Sequence, residues 1–419
     1  MQDPAAMDGA GAPRGRAGGF RDWLPGAAER RRLVVDACLQ AFHSWGYGMV
    51  ATPMVEPLDT IAAGVGGERQ NQLFRFMDAD GSLLAMVGER TVSVARVVAT
   101  QLRDASLPLR LCYAGPVVRN QPLLGGRRRE TQQAGCELIG RNDLDADAEC
   151  IALAARSLAA AGLQDVQIDV GHADFFPALL EGSGLAPDAQ QRVLTALSER
   201  DLVAVERILE DTPLRSAERS LLLGFPALRG GRELLNAAAG GLQAARSLQV
   251  LEQLDRLWTL LEAHGVIDSV ALDLGAVPDW DYYTGPTFEL FSGGLGFPLG
   301  SGGRYDTLLR RFGVDLPATG FVLQIDRCHD AVERAVPSAV AAPPLRIGYA
   351  NGQAAGAFAA ARRLRDAGVA ATCDVLADES SGGPDLTLLI GDGGVQWLEG
   401  GGWRSGTMDE ALRVLGGGP

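Results

Sequence analysis

The chain contains no lysine: all 38 basic residues are arginine, set against 52 acidic residues, for a formal net charge of -14 in 419 residues. A surface this acidic disfavours non-specific nucleic-acid binding, although a local basic groove is compatible with it. Long apolar runs are also missing. None approaches the roughly 20 residues of a membrane span, and the opening "MQDPAAMDGAGAPRGRAGGF" lacks the apolar core of a signal peptide, so a soluble, cytoplasmic protein is expected. Cysteine is sparse and scattered singly at 38, 112, 136, 150, 328 and 373, with no C-x-x-C pair. That spacing argues against a zinc site or a disulfide framework and predicts reduced core residues. The four histidines, His43, His172, His264 and His329, make no metal-ligand spacing or catalytic pair and are expected to be structural. The glycine run "GGLGFPLGSGGRYD" lacks both phosphate-cradling patterns, the G-x-G-x-x-G after a strand and the G-x-x-x-x-G-K-[ST] loop.

What is present is enough apolar content, 47%, to bury more than one core. Residues 1–19 are Gly/Ala/Arg-rich without periodicity and predict a disordered leader. After Pro25, Leu33, Ala37, Ala41 and Trp45, together with Val34, Cys38 and Phe42, recur at helical spacing. "GMVATPMVEP" reads as a strand, and "NQLFRFMDADGSLLAMVG" and "LRLCYAGPVVRNQPLLGGRRRETQQAGCELIG" each read as two strands around a Gly-containing turn. A broad antiparallel sheet within an α+β domain is therefore expected. Residues from about 186 to 264 become Leu/Ala/Arg/Glu-rich with helical spacing and read as a helical insertion. Strands return with "VALDLG", "DYYTGPTFELF" and "GFVLQID", with one helix starting near Tyr305 and another at "RCHDAVERAV". Beyond the linker "PSAVAAPP", residues 344–419 suggest a small α/β domain of three strands. Only seven residues, "ADESSGG", separate its second and third strands, fewer than a parallel crossover usually takes, so the domain looks cut down.

The period-2 alternation of "TQQAGCELI" puts Ala134, Cys136 and Leu138 on one face and Gln133, Gly135 and Glu137 on the other. Gln, Gly and Glu in line suit a polar pocket in which glycine admits a ligand closely; a solvated outer face is the alternative. In "DYYTGPTFELF" the same alternation aligns Tyr283, Gly285, Thr287 and Glu289 opposite Tyr282, Phe288 and Leu290. Were the two strands neighbours, they would make a floor of hydroxyls and carboxylates suited to a small ligand with N–H groups, an imidazole among the candidates. Glu89 and Thr91 of "GERT" could receive an ammonium group, or else Glu89 simply favours a helix N-terminus. Arg119, at a strand end, suits a carboxylate or phosphate, whereas Arg127, Arg128 and Arg129 fit a solvated loop.

Taken in order, "GYGMVATPMVEP", "GPVVRNQPLLGGRRRETQQAGCELIG", "DWDYYTGPTFELF", "SGGRYDTLLRRFG" and "PATGFVLQIDR" resemble the class II histidyl-tRNA synthetase catalytic domain over residues 20–335. The resemblance implies a class II synthetase-like antiparallel sheet with flanking helices. It implies that Glu89, Thr91 and Gln133 hold a histidine ammonium group and that Glu137 and Tyr283 hold its imidazole. Asp281 and Tyr282 would belong to the same histidine pocket, Arg119 would face the carboxylate or an ATP phosphate, and Arg304 and Arg327 match family positions near ATP. Three departures matter. Pro278 stands where the synthetases have an arginine that stabilises charge during adenylate formation and binds the carboxylate, a task for which proline has neither charge nor N–H. Val87 replaces an arginine two positions before Glu89, and the 344–419 segment would be a shortened remnant of the anticodon-binding domain.

With these departures the chain is similar to the histidyl-tRNA synthetase paralogue that serves as regulatory subunit of short-form ATP phosphoribosyltransferase. That resemblance implies a non-catalytic protein without cofactor or metal. Its partner would be the short catalytic subunit and its effector L-histidine, with a self-dimer inside a hetero-oligomer and no tRNA or membrane partner. The alternatives are an active histidyl-tRNA synthetase, a synthetase-like ligase and a stand-alone histidine-binding protein.

Overall fold

The computed structural model describes residues 15–123, 128–181, 183–210, 212, 214–240, 242, 244–277, 282–335, 343–376, 386–391 and 393–416. Contacts divide the chain into two compact units, Met1–Pro337 and Ser338–Pro419.

The first unit opens with helix α1 (Ala27–Ser44) and two short strands, β1 (Gly48–Met49) and β2 (Val55–Pro57). Helices α2 (Leu58–Gly64) and α3 (Gly67–Gln70), the hairpin β3 (Arg75–Met77) and β4 (Leu83–Met86), and helix α4 (Arg90–Gln101) follow. Two ten-residue strands, β5 (Leu109–Val118) and β6 (Glu130–Ile139), lead to α5 (Leu144–Ala160), β7 (Val166–His172) and α6 (Phe175–Glu181). The stretch expected as an insertion carries α7 (Pro187–Ser198), α8 (Leu202–Leu209), α9 (Ser216–Leu223), β8 (Arg229–Gly230), α10 (Glu233–Ala239) and α11 (Ala245–Ala263). Strands β9 (Val270–Asp273), β10 (Pro286–Ser292), β11 (Gly300–Arg304) and β12 (Ala318–Gln324) and helix α12 (Ile325–Ala335) complete it.

Among the described residues nine strands form one mixed sheet in the order β1-β5-β6-β12-β11-β10-β7-β9-β8, antiparallel from β5 through to β7. One face of this sheet is covered by α1 and α5. Ala134, Cys136 and Leu138 of β6, Phe321 and Leu323 of β12 and Ile168 of β7 pack there against Val34, Cys38 and Phe42 of α1 and Ile151, Leu153 and Leu158 of α5. The buried stripe of α1 is thus the Val34 row, while Leu33 lies half exposed. The opposite face carries α4 and a second cluster built from Val94, Val98, Tyr113, Tyr282, Tyr305 and Leu308.

Several expectations are corrected. "GMVATPMVEP" is not one strand: β1 joins the large sheet and β2 a separate three-stranded one, β2-β4-β3. Between them the Thr52 carbonyl and hydroxyl both accept from the Arg90 guanidinium at 2.8 Å, so a side chain takes the place of a ladder partner. Strand β10 begins only at Pro286, which leaves Tyr282 and Tyr283 on the connection before it. Strands β6 and β10 are not neighbours, because β12 and β11 lie between them. No helix starts at Tyr305. Its N–H donates to Ala318 O and that of Asp306 to Thr284 Oγ1, and only a short 3-10 turn follows at Leu309–Phe312. Of the expected leader, residues 1–14 lie outside the described residues, whereas the Gly19 carbonyl accepts from the Arg129 N–H at 2.9 Å.

The second unit comprises β13 (Leu345–Tyr349), α13 (Ala354–Asp366), β14 (Ala371–Val375), β15 (Leu386–Gly391), β16 (Gly394–Glu399), β17 (Gly402–Gly406) and α14 (Met408–Val414). Its sheet, β14-β13-β15-β16-β17, has five strands where three were expected, the addition being the antiparallel hairpin β16–β17. Residues 377–385, which hold the "ADESSGG" segment, and 336–342, most of the expected linker, lie outside the described residues.

Leu153, fully buried between α5 and the sheet, offers a test of this core. Leu153→Ala should cost about 2–5 kcal/mol through lost transfer energy and the cavity left behind, read as a lower urea midpoint for the first unit.

Candidate functional site

The site lies on the α4 face of the large sheet. Its floor is a row across three strands, in which Glu137 of β6 pairs with Gly320 of β12, and Gly320 with Gly303 of β11. A side chain at Gly320 would collide with the Glu137 carboxyl, and one at Gly135 with the Tyr113 hydroxyl. The glycine in "TQQAGCELI" therefore makes room for a tyrosine of the neighbouring strand β5, where a close-lying ligand had been expected. Tyr113 and Gly135 are direct partners in the ladder.

Glu137 is buried and accepts from two phenols, Tyr113 at 3.2 Å and Tyr305. Burial pushes its carboxyl up to about 8, with the Tyr305, Thr91 and Tyr113 hydroxyls pulling the other way. Glu89 occupies the N-cap position of α4 with an extended backbone, yet its side chain makes no cap bond. It turns inward and accepts at Oε1 from the Tyr282 hydroxyl, while its buried Oε2 has no hydrogen-bond partner. Burial raises its pKa, opposed first by the Tyr282 bond and then by the Arg119 charge. Thr91, in the first turn of α4, is buried beside Glu89, Glu137 and Tyr113. Gln133 is fully buried, and neither its Oε1 nor its Nε2 has a partner. An orphaned buried amide costs roughly 1–3 kcal/mol per polar group, which a ligand able to both donate and accept would recover.

Arg119 follows the end of β5; its Nε donates to Gly88 O at 2.7 Å, its charge faces Glu89, and burial lowers its pKa. Tyr283 is half-buried, with its ring centroid 5.0 Å from that of Tyr282. The structure thus brings Glu89, Thr91, Arg119, Gln133, Glu137, Tyr282 and Tyr283 to one region, whereas Asp281 and Pro278 lie outside the described residues, as does Arg127. Glu289, expected on the same face as Tyr283, is exposed.

Two expectations about ATP meet different outcomes. Arg304 is buried and committed internally. All five of its N–H donors are used: Nε and Nη2 bond Asp147 at 3.1 and 2.9 Å, Nη1 bonds Arg141 O and Asp306 Oδ1, and Nη2 also bonds Asp143 O, which pins the β11 end to the α5 start. Such an arginine has a structural role and no donor left for a nucleotide phosphate. Arg327, at the start of α12, donates to Pro298 O at 2.8 Å and lies 4.8 Å over the Phe297 ring, with its charge facing Arg119.

Tyr113 and Tyr305 are the residues that sequence reasoning passed over. Tyr113 alternates with Leu109 and Leu111 on β5, which is a readable facing signal, but its neighbours on that face are apolar and give no sign of the acid beside it. Of the histidines, His172 is buried, bonded to Gln253 at 2.9 Å, and has its pKa lowered by burial. Among the described residues no group of three metal-binding side chains assembles.

The site therefore brings two buried acidic groups, both beside the Thr91 hydroxyl, together with an unsatisfied amide, an arrangement suited to a small ligand carrying N–H groups. The sheet and its glycine row define a class II synthetase-like scaffold. The family described as "Histidyl-tRNA synthetase" matches residues 19–328. The "ATP phosphoribosyltransferase regulatory subunit" of Moorella thermoacetica is 40% identical over 85% of this chain and 91% of that protein. The protein so named from Geobacter sulfurreducens is 39% identical over 75% and 72%. A crystal structure described as an ATP phosphoribosyltransferase regulatory subunit/histidyl-tRNA synthetase from Bacillus halodurans superposes with a TM-score of 0.82 at 30% identity, covering 91% of this chain and 99% of that one. A histidyl-tRNA synthetase from Nostoc, at 18% identity, TM-score 0.77 and coverage of 97% and 99%, shares the fold. The chain belongs to the family of ATP phosphoribosyltransferase regulatory subunits, built on the histidyl-tRNA synthetase fold.

Glu137 offers a test independent of any ligand. Its carboxyl releases a proton near 4.5 when unfolded and near 8 when folded, so between those values the folded state binds more protons and stability falls as pH rises. Urea midpoints measured from pH 5 to 8.5 should fall less steeply for Glu137→Gln than for the unmodified protein.

Proposed function

We propose that this chain is the non-catalytic subunit that a short ATP phosphoribosyltransferase catalytic subunit requires for activity, and that its pocket reads L-histidine and conveys feedback to that partner. The observation carrying this is a pocket with the acids for an ammonium and an imidazole, Glu89 and Glu137, in a chain with proline at position 278 where an activating arginine would stand. Sensing needs the first set of groups, and adenylate chemistry needs the second. Within the pocket, Glu89, Thr91 and Gln133 take the ammonium group. Glu137 and Tyr283 take the imidazole, Arg119 takes the carboxylate, and Asp281 and Tyr282 contribute to binding the same ligand. The absorbed Arg304 supports the same direction, because it offers no donor to ATP.

Feedback by this route requires histidine to prefer one state of the complex, typically by about 1–3 kcal/mol of coupling. We place the protein in the cytoplasm, as a self-dimer inside a hetero-oligomer with the catalytic subunit, and take residues 344–419 as the remnant of an anticodon-binding domain with no tRNA to read. Close likeness of fold to a synthetase favours the rival reading of an active histidyl-tRNA synthetase, against which Pro278 stands.

Two outcomes test this. Calorimetry should detect L-histidine binding, and the affinity should have a plateau in pH. An imidazolium paired with the Glu137 carboxylate shares one proton. Binding therefore exchanges none between the free imidazole's pKa of about 6.5 and Glu137's value of about 8. Affinity should fall below the plateau, where binding releases a proton, and above it, where binding takes one up. Glu137→Gln should weaken binding by about one to two decades, corresponding to roughly 1.5–3 kcal/mol for a hydrogen bond to a charged group, and should lose the upper limb. The purified protein should also show no histidine-dependent exchange of pyrophosphate into ATP and no charging of tRNA; robust charging would return it to the synthetases.

A further inference from the structure

Strand alternation puts Tyr282 opposite Tyr283, whereas the family resemblance puts it in the histidine pocket. In the structure both its ends are engaged within the pocket. Its hydroxyl donates to Glu89 Oε1, and both residues are buried. Its ring meets that of Tyr283 at 5.0 Å and that of Tyr305 at 5.7 Å, both edge-on, and the Tyr305 hydroxyl in turn donates to Glu137. One side chain thus touches the acid at the ammonium end directly and the acid at the imidazole end through a single intermediary.

We propose that Tyr282 is a positioning residue: by donating to Oε1 of Glu89 it aims the partnerless Oε2 at the ligand's ammonium group and ties that end of the pocket to the imidazole end. The inference rests on the pocket being the histidine site. A carboxyl buried this deeply keeps its proton unless something donates to it, and a protonated Glu89 attracts an ammonium far less. The groups facing Glu89 are the Thr91 hydroxyl of α4 itself, Tyr282 and Tyr283 from the connection before β10, Arg119 beyond β5, Arg69 of α3, Tyr113 of β5 and Glu137 of β6, with the Thr91 hydroxyl acting in the same direction as that of Tyr282. Arg119 and Arg69 favour the carboxylate and Glu137 opposes it. Among the phenols the Tyr282 hydroxyl contributes most to holding Glu89 ionised. Without it, the Glu89 carboxyl holds its proton more tightly, and rising pH restores the carboxylate.

The test is calorimetric titration of the full chain with L-histidine at pH 6.5, 7.5 and 8.5, for the unmodified protein and Tyr282→Phe. At pH 6.5 the variant should bind roughly tenfold or more weakly, the loss expected for one hydrogen bond to a charged group, and the gap should close several-fold by pH 8.5. A merely structural tyrosine would open the same gap at every pH. That result, or no gap at all, would overturn the inference while leaving the histidine site standing. Absence of binding by the unmodified protein would remove the histidine reading and this inference with it. Should Tyr282→Phe fail to fold, 3,5-difluorotyrosine at 282, a stronger donor of the same shape, should gain affinity over the unmodified protein by more at pH 6.5 than at pH 8.5, a ratio in which the free imidazole's own titration cancels; a ratio constant across pH would contradict the proposal.

Discussion

The site depends on holding a carboxyl, Glu137, in the middle of a packed sheet with hydroxyl groups, the Tyr113 and Tyr305 phenols and Thr91, as its donors. Burying an acid there is costly unless its oxygens are hydrogen-bonded, and any solution needs space on the face where β-strands normally crowd. The glycines at 135, 303 and 320 supply that space, and Tyr113, Tyr305 and Thr91 supply the donors. Once this is in place, the rest of the architecture follows as support. The apolar face of β6 must be sealed by α1 and α5, and the polar face must be walled by α4, whose first turn delivers Glu89 and Thr91.

A second buried charge fixes the frame around the pocket. The Arg304–Asp147 pair joins the end of β11 to α5, and the carbonyls of Arg141 and Asp143 take the remaining guanidinium donors. Burial pushes Asp147 up to about 6 even beside an arginine. A buried pair of this kind is costly to assemble and far more costly to break on one side, so it reads as a fixture of geometry. It converts a residue expected to meet a nucleotide into one that positions Tyr305, its neighbour in the chain, over Glu137.

How much of this was legible in the sequence varies by the kind of information required. The alternation along "TQQAGCELI" placed Gln133 and Glu137 on one face and the core residues on the other, and the structure agrees, because facing is a local property of a strand. Strand order is not local. The sequence could not say that β11 and β12 separate β6 from β10, so the imagined floor of two adjacent strands is replaced by one row through Gly320 and Gly303. Turns that spend backbone donors elsewhere were also invisible: Tyr305 and Asp306 look helical until their N–H groups are found bonded to Ala318 and Thr284. The β16–β17 hairpin escaped notice because "GVQWLEGGGWRSG" is glycine-rich and its second strand is wholly exposed, which leaves little apolar alternation to read. Functional divergence, by contrast, shows only in the sequence, at Pro278, a position outside the described residues.

On the proposed reading, these features are a histidine pocket retained on a synthetase scaffold that no longer activates what it holds. The most direct measurement is the rate of ATP phosphoribosyl transfer by the short catalytic subunit of the same organism, with and without this chain, across a titration of L-histidine. The catalytic subunit should be nearly inactive alone, become active when the chain is added, and then be inhibited by histidine. A catalytic subunit fully active alone, and indifferent both to this chain and to histidine in its presence, would contradict the account.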